Sequence, residues 1–127
     1  MKALIAKVQI PEIATHDAIV AFKEALISRL SEDVLKIIFF GSRRRGFFRP
    51  DSDIDLLVVL REKKKELVDT VFEISDAVEQ DILHYEIPLT IHIFTKDEYN
   101  RLKGLKSPFI TEIEKEGITI YERVSQS

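Results

Sequence analysis

Two short β-rich runs constrain this chain more than anything else in it. Val34 to Phe40 (VLKIIFF) and Ile54 to Leu60 (IDLLVVL) are separated only by the polar segment GSRRRGFFRPDSD. Apolar runs of this length, rich in β-branched and aromatic residues and stopped by Gly or Asp, read as buried strands. Buried strands need helices laid over them, and helical patterns flank the pair. Ile13 to Leu30 spaces Ile19, Phe22, Leu26, Ile27 and Leu30 onto one face, with Thr15 a candidate N-cap. Arg61 to Tyr85 is the longest helical pattern, with a core stripe of Leu67, Val71, Ile74, Val78 and Ile82 and a solvated start at Lys63, Lys64 and Lys65.

The remaining elements are shorter. Ser31, Glu32 and Asp33 read as a turn, and Ile87 to Phe94 as a third strand with Pro88 at its beginning, where a missing N–H is tolerated. Thr95 and Glu98 have the spacing of a capping box, so a helix starts there. Ser107-Pro108 starts another, Gly117 stops it, and Ile118 to Tyr121 reads as a last strand that could pair across a homodimer. Residues 2–10 fit a strand and a short helix equally. Strands and helices interleave, which argues for an α/β or α+β fold and against a bundle or a sandwich.

Composition narrows the function classes. At 127 residues, with no low-complexity linker and no internal repeat, the chain reads as one domain over 1–127. The absence of Cys removes disulfides, thiolate nucleophiles and Cys-ligated metals. No apolar run approaches the ~20 residues of a membrane helix, and no signal peptide is evident, so a soluble, cytoplasmic protein is expected. Net charge is 19 minus 22, or −3, which argues against general nucleic-acid binding. That balance is locally split. Arg43, Arg44, Arg45 and Arg49 put +4 on residues 41–50, and Asp51, Asp53 and Asp55 put −3 on residues 51–55.

Those fifteen residues carry the chemistry. Gly41 and Gly46 bracket Ser42-Arg43-Arg44-Arg45 directly after a strand. Glycine there lets the backbone turn sharply, so that N–H groups and the Ser42 hydroxyl can face an anion. A tight turn with solvated arginines is the plainer alternative. Asp53 and Asp55 lie two apart at the start of the next strand and therefore point to one face. A turn explains Asp53 but not Asp55, which interrupts an apolar run and is costly to bury unpaired. Two carboxylates on one face suit magnesium, and a phosphate loop beside them is the layout of nucleoside triphosphate chemistry. Phe47 and Phe48 could stack on a base or pack under the loop. His16 and His84 sit near helix ends.

The combination Gly41-Ser42-Arg43-Arg44-Arg45-Gly46 followed by Ser52-Asp53-Ile54-Asp55-Leu56 resembles the signature of the DNA polymerase β-like nucleotidyltransferase superfamily, in its minimal nucleotidyltransferase branch. The likeness covers residues 15–95. It implies a short mixed β-sheet with helices packed mainly on one face. It also implies ATP or another NTP as substrate, with the nucleoside monophosphate passed to a hydroxyl acceptor. Gly41, Ser42, Arg43, Arg45 and Gly46 would bind the nucleotide, and Asp53 and Asp55 would hold one or two Mg2+ ions.

One departure stands out. Active members carry a third carboxylate on a later strand, and the corresponding segment here, Leu89-Thr90-Ile91-His92-Ile93-Phe94, has none. Thr90, His92 and Phe94 share a face, expected to be the one turned toward the aspartates. His92 could replace the missing acid as base or ligand, or be a satisfied structural histidine. The family also includes members paired with a small helical HEPN-domain protein as the antitoxin of a toxin–antitoxin module. A catalytically weak binding partner of that kind is the second reading of this sequence.

Overall fold

A computed structural model describes residues 2–45 and 52–124, with side chains from residue 13 onward except that of Arg45. Gly46, Phe47, Phe48, Arg49, Pro50 and Asp51 lie outside the described residues. The element order is α1 (Lys2–Leu30), β1 (Val34–Phe40), α2 (Ser42–Arg45), β2 (Ile54–Leu60), α3 (Lys65–Asp81), β3 (Leu89–Thr95), α4 (Lys96–Gly104), α5 (Pro108–Glu116) and β4 (Ile118–Glu122). The four strands form one mixed sheet in the order β3-β2-β1-β4. β1 runs antiparallel to both β2 and β4, while β2 and β3 are parallel, with α3 as the crossover between them.

β2 is central and explains the uninterrupted IDLLVVL run. Its even-numbered residues Ile54, Leu56, Val58 and Leu60 pack with Phe22 and Leu26 of α1 and Val71, Ile74 and Val78 of α3. Its odd-numbered Leu57 and Val59 pack with Ile38 of β1, Tyr99 of α4, and Ile110 and Ile113 of α5. A strand buried on both faces has no reason to alternate polar and apolar residues. The two long helices thus cover one face, and the short α4 and α5 lie on the other.

Local signals place the short elements. The Thr95 hydroxyl accepts from the Glu98 N–H at 3.1 Å, and the Glu98 carboxylate accepts from the Thr95 N–H at 2.9 Å, so the expected capping box starts α4. Pro108 occupies the first turn of α5, and the Gly117 N–H bonds the Ile113 carbonyl at its end. Buried Tyr99 donates to Glu114 Oε1 at 2.7 Å and ties α4 to α5.

Three expectations are corrected. Residues 2–10 belong to α1 rather than to a separate element, so Thr15 lies mid-helix and caps nothing. The second long helix begins at Lys65, and Lys63 instead reaches Glu98 of α4 at 3.0 Å. With α3 ending at Asp81, α1 is the longest helix among the described residues. β4 forms where a last strand is expected and pairs with β1, and among the described residues its outer edge meets no other strand.

Candidate active site

The sheet register brings the sequence-picked residues to one corner. Phe40, the last residue of β1, pairs with Asp55 of β2, which pairs in turn with Thr90 of β3. Asp55 thus stands on the α4/α5 face at the end of the sheet where β1 gives way to Gly41. The chain turns there with Gly41 at φ +88°, a conformation that favours glycine. Gly41 also allows close approach: a Cβ at this position would overlap Asp55 Oδ2. The phosphate-type loop and the aspartate strand are therefore in direct contact, and Ser42 opens the short α2 immediately beyond.

Each aspartate has a partner on β3. Thr90 Oγ1 donates to Asp53 Oδ2 at 2.8 Å. His92 Nε2 lies 3.6 Å from Asp55 Oδ1, longer than a hydrogen bond, and is buried with no hydrogen-bond partner. The imidazole is packed between aromatic rings, 5.3 Å from Phe40 and 5.6 Å from Phe109 of α5 by ring centroids. Phe109 also meets Phe94 at 6.2 Å. Burial pushes the Asp55 carboxyl above its ordinary range, His92 pulls it back, and the like charge of Asp53 adds to the upward push.

Two half-buried carboxylates close enough to repel each other are a fitting environment for a divalent cation. Among the described residues no three His, Asp or Glu side chains form a ready metal cage. That still suits magnesium, which takes one or two carboxylates and completes its shell with waters and substrate phosphates. A cavity of about 130 Å³ opens beside the loop, lined by Phe40, Gly41, Phe109, Glu112, Ile113 and Glu116.

The loop arginines divide. Arg43 is only 5% exposed. Its Nε donates to Thr15 Oγ1 of α1 at 2.8 Å, and its Nη1 donates to the Ser52 carbonyl at 2.7 Å. Arg44 is half-buried, the Arg45 side chain is not among those described, and Gly46 lies outside the described residues.

A model of the nucleotidyltransferase domain matches residues 19–120. The chain belongs to this family. A Methanocaldococcus jannaschii protein, named a putative protein adenylyltransferase, is 26% identical over 104 residues, covering 78% of this chain and 91% of the relative. A crystal structure of a putative nucleotidyltransferase from Sulfolobus solfataricus superposes with a TM-score of 0.51 at 18% identity, over 97% of this chain and 89% of that one. A toxin–antitoxin complex with AMP-PNP gives a TM-score of 0.53 at 14% identity, covering 80% of this chain and 72% of that chain. At these identities the two structures speak for the fold.

In this nucleotidyltransferase domain the expected face of β3 does meet the aspartates, and it carries Thr90, His92 and Phe94 rather than an acid. Sequence reasoning identified that face but not the Thr90–Asp53 bond. It also missed Phe109, whose place over His92 depends on how α5 packs. Thr15 carried a misleading signal, since a threonine near an apparent helix start reads as a cap. Among the described residues no helix is long and apolar enough to cross a membrane.

Proposed function

We propose that this domain binds ATP or a related nucleoside triphosphate with Mg2+ and transfers its nucleoside monophosphate to a hydroxyl acceptor. The observation that carries this reading is the abutment of Gly41 on Asp55, which sets a phosphate-type loop against a pair of carboxylates on one strand face. The Gly41 backbone, Ser42, Arg45 and Gly46 would hold the phosphates, and Asp53 and Asp55 would hold the metal. The metal, when bound, neutralises phosphate charge. The acceptor oxygen forms a new bond to the α-phosphorus as the bond to pyrophosphate breaks. In this reading the acceptor proton would leave to water, since β3 carries no carboxylate and His92 Nε2 is shut from solvent. Thr90 then orients Asp53 through its hydrogen bond and His92 packs beside Asp55, instead of acting on the substrate. The name of the M. jannaschii relative supports AMP as the transferred group and a protein as acceptor. Titration calorimetry with ATP and Mg2+ tests the reading: the wild type binds and Asp53→Ala/Asp55→Ala does not. Absent binding, or equal binding by both, overturns it.

A second reading is favoured by the same β3 face. With aromatic rings and an imidazole where active members carry an acid, the domain would act as the antitoxin-type partner of a helical HEPN-domain protein. Likeness to a chain of a toxin–antitoxin complex supports it. Co-purification with such a partner, surviving loss of both aspartates, is the expected outcome. Transfer of label from ATP to a protein, abolished in Asp53→Ala, would exclude it as the whole function.

A further inference from the structure

The arginine next to Ser42 is buried, and its guanidinium bonds to protein groups on two sides. Arg43 sits one residue after Ser42, and Ser52 one residue before Asp53, so the bond from Arg43 Nη1 to the Ser52 carbonyl ties α2 to the residues that lead into β2. The same guanidinium anchors this junction to the middle of α1 through Thr15 Oγ1. Three parts of the chain, from sequence positions 15, 43 and 52, therefore meet on one buried planar group. A guanidinium is suited to this, since its donors are fixed in one plane and a buried donor left without its acceptor is costly.

We infer that Arg43 is a positioning residue: through Thr15 and the Ser52 carbonyl it fixes the distance between the Ser42 side of the loop and the Asp53–Asp55 strand. The inference rests on the proposed nucleotide site. It differs from a phosphate contact because the group that matters most is Thr15, a helix residue that would touch no nucleotide. A preset spacing between phosphate ligands and metal ligands helps only the bound and reacting states, where small displacements are expensive.

The test uses Thr15→Val, which keeps the side chain's shape and removes the acceptor, and Thr15→Ser, which keeps the acceptor. The first readout needs no nucleotide: solvent exchange of the Arg43 Nε–H signal by NMR. It is slow in the wild type and Thr15→Ser and fast in Thr15→Val. Fast exchange in the wild type overturns the clamp. The second readout is the affinity of the folded protein for ATP–Mg2+, expected to weaken about tenfold in Thr15→Val and to recover in Thr15→Ser. Accelerated exchange with unchanged affinity makes the bond structural only and overturns the positioning role. A wild type that binds no nucleotide, with the exchange pattern intact, refutes the nucleotide-site reading and with it the positioning role, while leaving the clamp as a structural element.

Discussion

Replacing Gly41 by alanine probes the contact on which the site depends. Two costs can be separated. At φ +88° any L side chain is strained by about 1–2 kcal/mol. The new methyl would also overlap Asp55 Oδ2 and crowd Asp55 Cγ at 3.2 Å and Cβ at 3.3 Å. Asp55 is short and sits on a strand, so it relieves the overlap only by turning its carboxylate away, at a further ~1–2 kcal/mol. The sum, about 2–4 kcal/mol, lowers Tm by roughly 6–15 °C in a chain of this size. Thermal or urea unfolding of Gly41→Ala, Asp55→Ala and the double variant isolates the second cost, because Asp55→Ala removes the atoms that collide most. The double variant should be less destabilised than the sum of the singles by about 1–2 kcal/mol. Additivity within about 0.5 kcal/mol would refute the claim that Gly41 is required by the nearness of the Asp55 carboxylate. Left-handed backbone alone would then explain it.

Ionising Asp55 costs the folded protein stability, because burial holds its proton more tightly there than in the unfolded chain. The cost is absent below the ordinary carboxyl value of 3.8 and complete once pH exceeds the raised folded value, so metal-free Asp55→Asn should have a higher Tm than wild type at pH 7 and an equal one near pH 3. An unchanged Tm at pH 7 contradicts this. Thr95→Ala removes one half of the capping box and should lower stability by about 1 kcal/mol in urea unfolding, with no change in nucleotide affinity.

Much of this protein is written locally. The apolar runs of β1 and β2, the Thr95–Glu98 box, the Ser107-Pro108 start and the Gly117 stop all act within a few residues of themselves, and their elements stand where the sequence indicates. The carboxylate pair is legible for the same reason, since the two-residue period of a strand puts Asp53 and Asp55 on one face whatever surrounds them. The boundaries that failed depend on distant partners. Nothing near Thr15 signals that α1 begins at Lys2, or that the hydroxyl faces an arginine 28 residues later. Nor does anything near Lys63 signal its ion pair with Glu98, 35 residues on.

The sequence alone determined the strand–loop–strand unit, the positive loop and the negative strand that follows it, because those are matters of order and period. Only the tertiary structure decided their use. Sheet register set Thr90 against Asp53 and His92 against Asp55, α5 packing brought Phe109 over the imidazole, and burial turned Arg43 from a free charge into the junction of α1, α2 and the start of β2. Each of those outcomes depends on distances between residues far apart in the chain, which no local spacing encodes.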